Sequence, residues 1–309
     1  MAQIEKILTI AIPTYNRSAY LRECLEHICP QLVDEIQLVV RDNCSNLYNY
    51  DEFIHPYCEK YGIVAFRNKV NIGGDANIAR LYEDCETKWL WVIGDDDYIL
   101  GNAISLVLKT INNHPDDIYI KFHSEFEGEV TGLSGFACAM KKPTAFGNSF
   151  FTSECLVNID RIRSDMFWHY KYLSLYNAQI LRIMRNLINN PDNKCLFVKD
   201  ELLENHGLDV TWNHIEFVPY QTLIFDLFRE QKKILKDNVF KDIVKYCLVY
   251  IDMADIPIRD KFYYFFLFVY KFGLINTFRY NYIQVFRIPL RRILNNSLYI
   301  KLKKIIRKS

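Results

Sequence analysis

Three consecutive carboxylates, Asp95, Asp96 and Asp97, directly follow the apolar run Trp89-Leu90-Trp91-Val92-Ile93-Gly94. A buried strand ending this way gathers negative charge at one mouth of a sheet. Carboxylates held that close repel one another unless a cation lies between them. Hard oxygen donors in this number suit Mg²⁺ or Mn²⁺, ions that typically bridge to substrate phosphates. The residues therefore point to a metal-assisted reaction on a phosphorylated substrate. The plain alternative is a solvated turn that caps the following helix.

Further polar clusters have the same setting. Thr14-Tyr15-Asn16 follows the apolar run Ile7 to Pro13, Asp42-Asn43-Cys44-Ser45 follows Ile36 to Val40, and Asn71-Ile72-Gly73-Gly74 opens a helix reaching about Asp84. Strands are expected at Ile7–Pro13, Ile36–Val40, Ile63–Phe66, Trp89–Ile93 and Ile118–Phe122. Helices are expected from Ser18, as N-cap, and from Ala103 to Ile111. Alternating strands and helices imply an α/β fold with a mostly parallel sheet covered on both faces. Ligands of such sheets sit beyond the carboxyl ends of the strands, where all four clusters fall. Taken singly, Asp42-Asn43-Cys44-Ser45 reads equally as an Asx turn and Asn71-x-Gly73 as a helix entry. The stretch Glu125 to Gly135 reads as a loop or hairpin. The region after Phe150 reads as helical, with a break near Asn189-Asn190-Pro191.

With 309 residues and 50% apolar content the chain can bury a full core. Its nine Cys form no CxxC pair and no Cys/His metal spacing, which suits reduced thiols in a cytoplasmic protein. Met1 to Lys6 run straight into the first strand, so no targeting segment is expected ahead of the fold.

Charge is unevenly distributed. The segment 261–309 holds 11 of the 38 Lys and Arg and no acid, leaving 27 basic against 37 acidic residues in 1–260. The apolar block Phe262 to Tyr270 is nine residues long, far short of the ~20 needed to span a bilayer. Beyond it, Phe278, Tyr280, Tyr282 and Phe286 interleave with Arg287, Arg291, Arg292, Lys301, Lys303, Lys304, Arg307 and Lys308. That pattern suits an anionic leaflet. Nucleic acid is not expected as a partner, because the rest of the chain is acidic.

In order and spacing, Ile10-Ala11-Ile12-Pro13-Thr14-Tyr15-Asn16-Arg17, Asp42-Asn43-Cys44-Ser45, Asn71-Ile72-Gly73-Gly74 and Gly94-Asp95-Asp96-Asp97 resemble four motifs of the family-two glycosyltransferases. The resemblance covers roughly residues 5–125. It implies the GT-A fold and an inverting sugar transfer from a nucleotide-sugar donor. Within the family, Trp-x-x-Gly-Asp-Asp-Asp looks most like the bacterial O-antigen and capsule enzymes of the abequosyltransferase type. The acceptor implied is a lipid-linked or cell-surface glycan, met on the inner face of the cell membrane. The resemblance implies that Pro13, Tyr15, Asn16, Asp42, Asn71, Gly73, Asp95 and Asp96 surround the nucleotide sugar. It also implies that Asp95 and Asp97 hold Mn²⁺ or Mg²⁺. One departure from the family pattern is that Gly94 stands where the first Asp of Asp-x-Asp-Asp aligns in one register. A second is that the later Glu-Asp motif, source of the catalytic base, is not evident.

For that base, the acidic/His cluster Asp165-Met166-Phe167-Trp168-His169-Tyr170 supplies Asp165 first and His169 second. Asp192, Glu201 and Glu204 remain open, and a histidine such as His169 is more often a packed, hydrogen-bonded one than a base. Three parts follow: a nucleotide-sugar core (1–125), an acceptor side (126–230) and a helical, basic-aromatic C-terminal extension (231–309). Two other readings stay open. A sugar-phosphate nucleotidyltransferase would usually carry a glycine-rich loop after the first strand, and Thr14 to Ser18 contain none. The other is a degenerate, non-catalytic assembly partner.

Overall fold

The computed structural model describes residues 5–142, 145–204 and 214–278. It divides into two compact units, Met1–Asp209 and Val210–Ser309.

The first unit runs β1 (Leu8–Thr14), α1 (Ser18–Ile28), β2 (Ile36–Asp42), α2 (Tyr50–Tyr61), β3 (Val64–Arg67), α3 (Gly74–Asp84), β4 (Trp89–Val92), α4 (Ala103–Asn113) and β5 (Tyr119–Lys121). It continues with β6 (Gly128–Thr131), α5 (Gly132–Ala139), α6 (Ala145–Asn148), β7 (Cys155–Asn158), α7 (Ile159–Ile162), α8 (Met166–Lys171), α9 (Ala178–Asn189) and β8 (Lys194–Phe197). The strands form an eight-stranded mixed sheet in the order β3-β2-β1-β4-β7-β5-β8-β6. From β3 through β4 the pairings are parallel, with Leu8 opposite Ile36, Thr14 opposite Asp42 and Ile10 opposite Trp91. Beyond β4, β7 pairs antiparallel with both β4 and β5, β8 pairs parallel with β5, and β6 closes the edge antiparallel to β8.

Physical cause is plain for the central strands. Leu8, Ile10 and Ile12 of β1 and all four residues of β4 are buried, with Leu21, Leu25 and Ile28 of α1 packed into the same core as the β1 residues and Trp89 and Trp91. A strand covered on both faces must be apolar throughout, so it reads as a continuous run. Fully burying each such side chain contributes about 1.5–3 kcal/mol. The expected strands are therefore found, offset by a residue or two.

Three local expectations need correction. Ser18 is the first residue of α1 rather than its cap, and Arg17 holds the cap position without a side-chain cap bond. The stretch 125–135 forms no local hairpin: β6 pairs with β8, some 65 residues on, and then feeds α5. The helical region after Phe150 is interrupted by two strands, β7 and β8, each only four residues long.

The second unit is helical where described: α10 (His214–Gln221), α11 (Leu223–Leu227), α12 (Lys232–Leu235), α13 (Lys241–Met253) and α14 (Ile258–Phe272). Phe225 packs against Phe240, Phe268 and Phe272, with the centroids of Phe225 and Phe240 5.0 Å apart. On α14 the apolar block splits by face, Phe265 and Phe268 buried and Tyr263, Phe266 and Tyr270 exposed. No helix among the described residues is long and apolar enough to cross a membrane. The tail residues expected to meet a leaflet, from Tyr280 to Lys308, lie outside the described residues.

Candidate active site

Sheet topology fixes which residues can meet. The strands β1 to β4 share one direction; β7 opposes it, and β5 and β8 restore it. One edge of the sheet therefore collects the residues that follow β1, β2, β3, β4, β5 and β8, together with those that precede β7.

The carboxylate triplet sits at this edge. Asp95, buried, accepts from Thr14 Oγ1 at 2.7 Å through Oδ2 and from Arg17 Nη1 at 2.7 Å through Oδ1. The second terminal nitrogen of Arg17 reaches Asp96. Burial pushes the Asp95 carboxyl up to about 6, against the pull of Arg17 and Thr14. Burial also raises Asp97, against the hydrogen bond from Ser153.

Asp97 Oδ2 accepts from Ser153 Oγ, and the same oxygen of Ser153 accepts from Gly94 N at 2.9 Å. Ser153 is itself fixed by its carbonyl, which takes the indole N–H of Trp91 at 2.7 Å. Gly94 leaves room for the carboxylates beside it. A Cβ there would stand 2.7 Å from Asp97 Oδ2 and 3.1 Å from Asp96 Oδ1. Two carboxylates thus fold over one bare Cα, a hard-oxygen pair that fits a divalent cation. Asp95, expected as a metal ligand with Asp97, has its two oxygens hydrogen-bonded to Thr14 and Arg17, as one oxygen of Asp96 is to Arg17 and one of Asp97 to Ser153.

Beside the triplet, the β1 and β2 loops lock together. Asn16, at φ 56°, donates its backbone N–H to Ser45 Oγ at 2.7 Å and accepts from Asn46 N and Leu47 N through Oδ1. Asp42 is fully buried and accepts from Ser45 N at 2.9 Å and from Ser45 Oγ, with Arg67 Nε 3.3 Å away. Its carboxylate braces the turn and does not face open space. Asn71 Oδ1 accepts from Asn43 Nδ2 at 2.8 Å and from Gly73 N at 2.9 Å. Gly73 enters α3 at φ 86°, a conformation that favours glycine. Pro13 lies within β1, half-buried, and Tyr15 is the exposed ring of this group.

The structure does not bring Asp165 and His169 to this edge. β7 ends at the opposite edge, and the chain continues from there through α7 to both residues. Asp165 accepts from Asn186 Nδ2 at 2.6 Å. His169 is buried against the Tyr82 ring, 4.7 Å between centroids, with Arg182 Nη1 3.3 Å from its Nδ1. Burial, then Arg182, lowers the imidazole to about 3. It is the packed histidine of the plain alternative. Asp192, just ahead of β8, is also at the far edge.

A cavity of about 280 Å³ adjoins Asp96 and Asp97 and is lined by His123, Ser153, Glu154, Glu201 and Glu204, among others. Glu201 and Glu204, left open above, belong to it. Backbone bonds from Leu100 N to Leu202 O and from Glu204 N to Tyr98 O, each 2.8 Å, tie the segment after β8 to that after β4. Arg17, Ser153, Glu154 and His123 were not singled out from sequence. His123 had a signal: it is the first residue past the expected strand Ile118–Phe122. Ser153 and Glu154 had none, because β7 was unseen.

Residues 9–135 match the family model described as Glycosyl transferase family 2. This segment, about two fifths of the chain, is thus similar to the family-two glycosyl transferases. Over 118 residues the chain is 30% identical to abequosyltransferase RfbV of Salmonella typhimurium, a match spanning 37% of this chain and 35% of that protein. The chain spans little more than a third of the length of the curated relatives it matches. Among solved structures, S. aureus TarS 1–349 in complex with UDP-GlcNAc is similar at a TM-score of 0.55 and 14% identity, over 88% of this chain and 91% of that one. The mannosyltransferase PcManGT of Pyrobaculum calidifontis, in complex with GDP-Man and Mn²⁺, gives 0.52 and 11% over 91% and 88%. The chain thus shares the GT-A fold, with helices following the sheet.

Proposed function

We propose that the chain transfers a sugar, with inversion, from a nucleotide-sugar donor to a hydroxyl of a lipid-linked or cell-surface glycan. The observation that carries this reading is the convergence of Asp96 and Asp97 over Gly94, at the strand end next to the β1 and β2 loops. The relatives' names add support, since one transfers abequose and two similar folds were solved with UDP-GlcNAc or with GDP-Man and Mn²⁺.

In this reading Asp96 and Asp97 would hold Mn²⁺ or Mg²⁺, an ion that would supply neutralising charge for the departing diphosphate without proton transfer. Asp95 sets Arg17, and Asp42 sets the turn that presents Tyr15 and Asn16. The nucleoside then lies along the interlocked Asn16, Asn43 and Asn71 loops, with Pro13 and Gly73 shaping their backbones. Holding donor and acceptor in line supplies most of the remaining rate. Residues 1–125 take the donor and 126–230 the acceptor.

The acceptor class rests on the tail. Several basic residues, each contributing about 1 kcal/mol at an anionic surface, would hold the chain on the inner leaflet. Co-sedimentation with phosphatidylserine vesicles tests this: the chain truncated after residue 272 should stay in the supernatant while still binding nucleotide. Equal pelleting of both forms would remove the membrane role.

Calorimetry with UDP, GDP, CDP and dTDP, with and without Mn²⁺, tests the reaction class. One nucleotide should bind only with the metal, and Asp97→Ala should lose that binding while remaining folded. Metal-independent binding, or none, would defeat the reading.

A further inference from the structure

We infer that His123, oriented by Glu154, takes the proton from the acceptor hydroxyl, and that the cavity beside Asp97 is the acceptor subsite. The inference rests on the glycosyl-transfer reading above and assigns the base that reading lacks.

The observations converge on one ring. His123 directly follows the β5 edge and holds a left-handed backbone, φ 51°, which is uncommon for a residue with a side chain and here departs from regular strand geometry. Its N–H donates to Asp200 O at 2.9 Å, which fixes the turn. Nδ1 lies 2.8 Å from Glu154 Oε1. A carboxylate only accepts, so Nδ1 carries hydrogen, and in the neutral ring Nε2 then keeps the lone pair. The other oxygen of Glu154 accepts from Lys121 Nζ, and Lys121 is buried, so the carboxylate cannot swing away cheaply. Nε2 stands 3.6 Å from Glu201 Oε1, beyond hydrogen-bond range, and His123 and Glu201 both line the cavity. A hydroxyl donating to Nε2 would fit at that mouth.

Ser153 links this pair to the carboxylates: its hydroxyl holds Asp97 and the next residue is Glu154. The charged groups around the ring are therefore Glu154, Lys121 and Glu201, with Asp96, Asp97 and Glu204 across the cavity. The imidazolium formed on proton uptake meets two carboxylates. This is the arrangement of a general base held in one tautomer by an acid behind it.

The step balances. The acceptor O–H bond breaks and its proton goes to Nε2, while the oxygen's electron pair forms the new bond to the anomeric carbon. The anomeric bond to the nucleoside diphosphate breaks, and that pair leaves with the diphosphate. Bulk water receives the proton from His123 afterwards.

The test uses the full chain with Mn²⁺ and UDP-, GDP-, CDP- and dTDP-sugars, following nucleoside diphosphate release with water and with added simple saccharides. Glycine accepts the backbone at 123 without strain, so His123→Gly should fold. We expect turnover to fall ~100-fold with donor affinity by calorimetry within about twofold. Added imidazole should restore the rate in proportion to its unprotonated fraction, which a structural role would not allow. Asp97→Ala should differ by losing donor binding itself. Wild-type turnover in His123→Gly, or a loss that imidazole leaves unchanged, overturns the assignment and leaves the transferase reading standing. Failure of the unaltered chain to bind any donor removes both.

Discussion

Arg17 donates to Asp95 Oδ1 at 2.7 Å, so a guanidinium from the loop after β1 closes over the buried carboxylate at the end of β4. The same group reaches Asp96, one of the two carboxylates that converge over Gly94. An internal cation thus competes for charge that a divalent ion would use. Removing it as Arg17→Gln should tighten Mn²⁺ binding in the absence of nucleotide by ~10-fold, about 1–2 kcal/mol of screened Coulomb energy. Isothermal titration of the nucleotide-free protein reads this directly. Unchanged or weaker Mn²⁺ binding would show that Arg17 does not oppose the ion.

Asp95 illustrates the cost of that arrangement. Its carboxyl is raised to about 6 chiefly by burial. A raised acid binds its proton more readily in the folded state than in the unfolded state, so stability is highest below about pH 4 and is lost as pH rises to about 6. Two units correspond to about 2.7 kcal/mol. Asp95→Asn should therefore be more stable than wild type by about 2 kcal/mol at pH 8 and level with it at pH 4. Urea unfolding in EDTA at both values checks the sign, and a variant less stable at pH 8 would contradict it. The gain should come with lower activity, since the amide holds Arg17 less firmly.

His169 carries the opposite sign. Burial and Arg182 lower its imidazole to about 3, so the unfolded chain takes up a proton that the folded one refuses. Stability falls as pH drops from about 6.5 towards 3, by about 1.4 kcal/mol per unit for one proton. His169→Gln should flatten that slope by one proton while nucleoside diphosphate release at pH 7.5 stays within about twofold. A large loss of turnover with unchanged donor affinity would return the base to His169.

How legible each part was depends on whether it is local. Parallel strands β1, β2 and β4 are buried on both faces, so their apolar runs and the polar residues ending them stand out in the sequence. Thr14, Asp42 and the Asp95–Asp97 triplet were readable for that reason. β6, β7 and β8 are four residues each and earn their place through partners far along the chain, such as Val130 opposite Cys195. No periodicity marks them. Asp165 and His169 stood out because acid and imidazole lie four residues apart. Proximity in sequence does not say which edge of the sheet a helix reaches, and the antiparallel β7 sends that segment to the far one. His123 and Glu154 are 31 residues apart and meet only because β5 and β7 pair, Phe122 N donating to Glu154 O at 2.8 Å.

Gly94 offers the most economical test of the carboxylate pair. The position where the family pattern places an acid in one register is held here by a residue with no side chain. A methyl there would lie 2.7 Å from Asp97 Oδ2, too close unless that carboxylate moves, and a tight 3.1 Å from Asp96 Oδ1. Gly94→Ala should shift the Asp97 carboxylate and loosen its hydrogen bond from Ser153. Overpacking of this kind costs about 1–3 kcal/mol, which a core of this size absorbs. Turnover should fall ~100-fold or more, because a displacement near 1 Å at a positioning group has that effect. Mn²⁺-dependent nucleotide affinity should fall with it, while the unfolding midpoint moves only by the overpacking cost. An alanine variant with ordinary turnover and ordinary Mn²⁺ dependence would mean that the convergence of Asp96 and Asp97 has no part in the reaction.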